Sequence, residues 1–178
     1  MPLAATWVVD GMAILQGISS APATFADVAT IIFNITAAPF LSGAPRVDFV
    51  VDQYPAVSIK GCERAARARL GTLKVQILHR LQKCSTQWKK YLTVGSNKEN
   101  LQGFLCTEWQ RPEYAVRLHQ RFFFVASGTT CTRLTSPGGE VVVAEEVTAL
   151  CCSHEEADTR IQVSSASAKS QVLCRRGL

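Results

Sequence analysis

A chain of 178 residues that is 47% hydrophobic and 19% charged is long enough to bury a core and too apolar to be disordered. Its seven cysteines, an odd number without a Cys-x-x-Cys pair, fit neither a zinc site nor a small disulfide scaffold, so free thiols are expected, and with them an intracellular location, nuclear or cytoplasmic. The net charge of +5 is unevenly spread: residues 60–121 hold thirteen Lys/Arg against four Asp/Glu, and the remainder six against ten. A basic segment beside an acidic remainder suggests a phosphate-binding surface next to a metal-binding one, although scattered Lys and Arg also describe a solvated helical face.

The start Met1-Pro2-Leu3-Ala4 lacks the basic region of a secretory signal. Ala5 to Val9 is a short apolar run ending in Asp10-Gly11 and reads as a buried strand. Thr24-Phe25-Ala26-Asp27 predicts a capped helix running to about Ile35. Val28 to Pro45 carries no charge, but two prolines, Asn34, Thr36, Ser42 and Gly43 interrupt it, so a buried helix followed by a loop is expected rather than a membrane span. Val47 to Val51 is a second strand with Asp52 at its exit, and a helix between two strands implies a parallel βαβ unit. Ser58 to Arg69 is helical in character and carries Lys60, Arg64 and Arg67; Leu73 to Leu81 fits no single pattern. Trp88 to Leu92 mixes aromatics with Lys89 and Lys90, and Ser96-Asn97-Lys98-Glu99 is a capping box opening a helix to about Trp109. Arg121 to Ala126 is a third buried strand; Ser136-Pro137-Gly138-Gly139 is a turn; Cys131 to Leu134 and Val141 to Val147 can pair as a hairpin. Ser153-His154-Glu155-Glu156 opens a last helix, and Val172-Leu173-Cys174 starts a further strand.

The chemistry concentrates in acids. In an open parallel sheet, sites form beyond the carboxyl ends of the strands. Asp10 and Asp52 stand at such ends, and Glu155, Glu156 and Asp158 crowd the start of the last helix. Oxygen ligands of this kind suit Mg2+ or Mn2+. Glu156 and Asp158 diverge by about 200° on an ideal helix and converge only where the first turn is frayed. The same acids also have an ordinary explanation. A carboxylate in a first helical turn gains about 0.3–1 kcal/mol from the helix dipole, and Asp10 and Asp52 could simply end strands. Trp88 and Tyr91 could stack bases or pack in the core; His79, His119 and His154 are expected at the surface, and Asp48 is expected to face solvent. No Ser-His-Asp arrangement or phosphate-cradling glycine loop is present.

Three of these segments resemble motifs of the PIN-like nucleases, the group of the flap endonucleases and XPG-type enzymes. Val8-Val9-Asp10-Gly11-Met12-Ala13 looks like that group's first-strand aspartate. Phe49-Val50-Val51-Asp52-Gln53-Tyr54-Pro55 with Lys60 is similar to its second motif, and Glu156-Ala157-Asp158 to its paired acids. A closer resemblance, over about residues 7–163, is to mobile-element-associated animal proteins carrying a His-Glu-Glu-Ala-Asp-Thr-Arg signature, here His154 to Arg160, with Asp52 to Lys60, Trp88 to Leu92 and Asn97-Lys98-Glu99 as further shared runs.

The resemblance implies one α/β domain over residues 1–178: a PIN-like, Rossmann-like, mostly parallel sheet flanked by helices, with a basic, mainly helical insertion at 60–115. It implies phosphodiester hydrolysis assisted by Mg2+ or Mn2+, with Asp10, Asp52, Glu156 and Asp158 as catalytic acids and metal ligands and Glu155 as a further ligand. Lys60, Arg64, Arg67, Lys89 and Lys90 would grip DNA or RNA without sequence preference. The pattern in relatives continues into a strand ending Asp-x-Asp, whereas this sequence stops four residues after Cys174. An incomplete C-terminus and impaired activity are therefore expected. The alternatives are a catalytically inactive nucleic-acid-binding module and a truncated mobile-element product without function.

Overall fold

The structure, a computed structural model, describes residues 6–19, 22–51 and 74–151. Strand β1 is Thr6–Asp10. Helix α1, Gly11–Gly17, follows at once, and α2, Phe25–Thr36, comes next. Strand β2 is Arg46–Val50, and helices α3, Trp88–Thr93, and α4, Gly95–Glu108, lie beyond it in the chain. Strands β3, Phe122–Ser127, β4, Thr130–Thr135, and β5, Val143–Glu146, complete the described sheet. Short 3-10 helices occupy Ala38–Ser42, Pro112–Leu118 and Thr148–Leu150.

The sheet order is β1-β2-β3-β4-β5. β1 pairs with β2 and β2 with β3 in parallel, whereas β3 with β4 and β4 with β5 are antiparallel. The fold is thus α/β with a mixed sheet, and the expectation of a mostly parallel one is corrected among the described residues. The reason is local. Two residues separate β3 from β4, and so short a link can only reverse the chain, because a parallel partner needs a long crossover.

Period decides which residues meet. In α2 the residues Phe25, Val28, Ala29, Ile32, Phe33 and Thr36 are buried, a helical stripe. Thr24 and Asp27 close the expected capping box. The remaining free amides at the helix start are met from far away: Phe25 N–H donates to the Gln82 carbonyl at 3.1 Å and Ala26 N–H to that of Arg80 at 2.9 Å. The helical stretch Phe25–Ser42 is apolar and long enough to cross a bilayer, and half of it is buried inside the fold.

Helix α4 begins at Gly95, one residue before the expected capping box, and no side chain caps it. Asn97 has other work. Its Nδ2 donates to the Tyr91 carbonyl at 3.0 Å and its Oδ1 accepts from Val75 N–H at 2.9 Å, tying together α3, α4 and the segment ahead of them. Asn100 accepts from Ile77 N–H at 2.7 Å in the same way. These side-chain contacts satisfy the Val75 and Ile77 amides in place of a strand partner, while Val75 and Ile77 pack against the core. Arg80 then pairs with Glu108 and Glu113 at 2.6 and 2.9 Å.

One large core lies on the sheet face carrying Val47, Phe49, Phe123, Val125 and Leu134, packed by the four described α-helices. Trp109 is fully buried at its centre, edge-on to Phe49 and Phe123 with centroids 5.1 and 5.4 Å away, and its indole N–H donates to the Ala29 carbonyl. Such aromatic pairs add about 0.5–1.5 kcal/mol each beyond area burial. Trp88, Tyr91, Leu92, Leu101 and Leu105 belong to this core, so the described part of segment 60–115 helps build it. The opposite face gathers Val8, Val50, Phe124, Ala126 and Cys131 with Leu150. Asp48 lies on that side, 1% exposed, in a two-point pair with Arg46 at 2.7 Å for both bonds, and Arg46 stacks over Phe124. The expectation that Asp48 faces solvent is therefore wrong. A strand residue alternates with Val47 and Phe49, and a neighbouring guanidinium makes burial of its charge tolerable.

Candidate functional site

Three neighbouring strands run the same way, so Asp10, Val50 and Ala126 finish on one edge of the sheet. Their registers place Asp10 beside Val50 and Val50 beside Ala126. Trp7-Val8-Val9 gives β1 its extended, apolar character, and Asp10 ends it with extended backbone angles of φ −72° and ψ 107°. The chain then turns directly into α1. Asp10 is the N-cap: its Oδ1 accepts from Met12 N–H at 2.8 Å and Ala13 N–H at 3.3 Å. Oδ2 meets no donor among the described residues. One carboxylate oxygen is thus committed to the helix, and the other remains available at the sheet edge.

Beside Asp10, β2 leads through Val51, whose N–H donates to the Ala126 carbonyl at 3.3 Å. Asp52 is the next residue in the sequence and lies outside the described residues, as do Glu155, Glu156 and Asp158 among the acids and Lys60, Arg64 and Arg67 among the bases. Among the described residues no three His, Cys, Asp or Glu side chains stand close enough to hold one metal ion. Asp10 supplies a hard oxygen donor of the kind Mg2+ and Mn2+ prefer.

Lys89 and Lys90 are exposed on α3, while Trp88, Tyr91 and Leu92 turn inward. The two rings stack at 5.1 Å. Tyr91 Oη donates to the Asn97 carbonyl, and Trp88 Nε1 donates to the Leu15 carbonyl at 3.1 Å. Of the two expectations for these aromatics, core packing is the one realised. The Trp88 bond also seats α3 on α1. Leu15 is four residues into the helix that Asp10 caps, a rise of about 6 Å, so the two lysines emerge from a helix docked on the helix that Asp10 caps.

Other reactive groups are poorly placed for chemistry. Burial, helped by Asp27, pushes the Cys84 thiol up to about 11, and burial raises the Tyr91 phenol and the Cys106 thiol. Cys84, Cys106 and Cys151 are free thiols. His79 and His119 are at the surface, and His154 lies outside the described residues.

Sequence reasoning missed α1 altogether, although an Asp followed by an apolar run is an N-terminal helix signal. It also missed Ser127 and Gln102, whose side chains meet at 3.5 Å where β3 ends on the same edge. Nothing in the sequence links positions so far apart. No protein-family model, curated protein or solved structure matches the chain.

Proposed function

We propose that this chain is a nuclease-like domain of PIN type, binding Mg2+ or Mn2+ at the Asp10 edge and hydrolysing nucleic-acid phosphodiesters. The observation that carries the reading is the parallel pairing of β1 with β2, which sets Asp10 beside the strand that leads into Asp52. Carboxyl ends of parallel strands are where α/β sheets bind ligands. In this reading Asp52, Glu155, Glu156 and Asp158 complete the ligand set. A bound divalent ion supplies the positive charge that phosphoryl transfer requires. Asp10 offers Oδ2 while Oδ1 stays on α1, so the carboxylate is held without a second side chain to orient it. Lys89 and Lys90 hold the phosphate backbone on the neighbouring helix. Water attacks phosphorus, the bond to the leaving sugar oxygen breaks, and that oxygen takes up a proton.

Incubating the full chain with Mn2+ and branched or single-stranded DNA tests this. Cleavage that disappears in Asp10→Asn and Asp52→Asn supports the enzyme. Salt-sensitive binding without cleavage supports instead an inactive nucleic-acid-binding module, a reading that the exposed pair Lys89 and Lys90 favours independently of the acids. Neither cleavage nor binding at low salt would refute both.

A further inference from the structure

The acid at the end of β1 owes its place to the residue after it. Gly11 is buried at the first position of α1, and its backbone is not among those with positive φ, so any residue could adopt its conformation. Space is the obstacle. A Cβ there would lie 2.4 Å from Phe49 Cζ, 2.6 Å from Phe49 Cε2 and 2.5 Å from Val51 Cγ1. Neither neighbour has a loose end to move aside. Both are buried, Phe49 is wedged edge-on against Trp109, and Val51 is tied to β3 through its backbone. A side chain at position 11 must therefore lift the first turn of α1 off β2. That same turn holds Asp10, through the amides of Met12 and Ala13.

From this we infer that Gly11 is a positioning residue: lacking a side chain, it lets the first turn of α1 lie against the exit of β2, and so sets the separation between Asp10 and Val51. The inference rests on the reading of this edge as a divalent-cation site. A one-ångström error in such a separation matters, because catalytic groups must be held in near-productive geometry.

The test compares the full chain with Gly11→Ala, with Gly11→Ala/Phe49→Leu/Val51→Ala, which removes the three obstructing atoms, and with Phe49→Leu/Val51→Ala as control. Amide exchange at Met12 and Ala13 reads the cap, and Mn2+-induced broadening of the Asp10 and Met12 signals reads the site. Gly11→Ala is expected to speed exchange at Met12 and Ala13 and to weaken Mn2+ binding roughly 10–100-fold, with Phe123 and Val125 in β3 still protected. The triple variant should recover both relative to its control. Unchanged exchange and unchanged broadening in Gly11→Ala overturn the inference. So does a general loss of β3 protection that the triple variant fails to reverse, since Gly11 would then serve packing alone. Absence of Mn2+ broadening in the unaltered chain defeats the cation-site reading, while exchange at Met12 and Ala13 still decides whether Gly11 positions Asp10.

Discussion

Asp10→Asn separates the two tasks that the structure gives one carboxylate. Asparagine caps helices about as well as aspartate, and its Oδ1 can still accept from Met12 and Ala13, so stability should stay within about 0.5 kcal/mol. Asp10→Ala removes the cap and should cost about 1 kcal/mol, which for a chain of this size lowers Tm by about 2–4 °C. The response to metal should divide the variants differently. With free Mn2+ at one hundred times Kd, binding stabilises the unaltered fold by about 2.7 kcal/mol; a variant binding about 100-fold more weakly keeps only about 0.4 kcal/mol. Both variants should therefore lose most of the Mn2+-dependent rise in Tm, and any Mn2+-dependent cleavage with it, although only alanine lowers Tm in chelator. Differential scanning fluorimetry with EDTA and with a Mn2+ series reads all of this. A full Mn2+ response in Asp10→Asn would show that the carboxylate is a cap and nothing more. Equal destabilisation by Asn and Ala would show that the cap bonds are not what hold the turn.

Arg80→Ala strands Glu108, which is only 5% exposed, and should cost about 1–3 kcal/mol in urea unfolding; the lower half is expected because Arg80 is itself partly exposed and Arg111 remains at 3.8 Å. A loss under about 0.5 kcal/mol would class the network with ordinary surface pairs. Lys89→Glu with Lys90→Glu should leave Tm unchanged and weaken DNA binding, lowering the slope of log K against log salt by about 1.8 if both lysines contact duplex phosphates; an unchanged slope removes α3 from the interface. Cys84, with its folded pKa raised to about 11 by burial and Asp27, should resist iodoacetamide at pH 8. Its folded pKa lies above the ordinary thiol value of 9.0, so the contribution to stability is complete below pH 9 and is lost as pH rises towards 11. Cys84→Ser should flatten that alkaline decline, and an unchanged decline would assign it to another group.

The strands and α2 were legible because their patterns are local. Trp7-Val8-Val9, Phe49-Val50-Val51 and Phe123-Phe124-Val125 are apolar runs of strand length, and Thr24 with Asp27 forms the expected box. The β4–β5 hairpin followed from the turn at Ser136 to Gly139. Most of the illegible features depend on partners distant in sequence. Arg80 and Gln82 cap α2 from more than fifty residues away, and Asn97 abandons its local capping role to hold Tyr91 and Val75. Asp48 was misjudged because a charged residue inside an apolar strand is buried only when a cation is supplied, and Arg46 supplies it from two residues back on the same face. At the candidate site the sequence identified Asp10 as an acid ending a strand, but not the helix it caps nor the glycine that seats that helix.

Topology adds one more constraint on where a ligand could bind. The order β1-β2-β3 steps in one direction, and crossovers between parallel strands are right-handed, so both crossovers must cover the same face. They do: α1 and α2 from the first and α3 and α4 from the second pack into one core. A crevice at the carboxyl edge of an α/β sheet opens where successive crossovers go to opposite faces, and no such reversal occurs between β1 and β3. The antiparallel strands β4 and β5 cannot provide one, since their links are hairpin-like. On the described sheet, the remaining place for a reversal is beyond β1, the strand that ends in Asp10. A further strand parallel to β1 on its far side would add such a reversal beside Asp10. Backbone amides of β1 that point away from β2 should then exchange slowly in the full chain. Fast exchange there would leave Asp10 at an open sheet margin, with no second wall to exclude water.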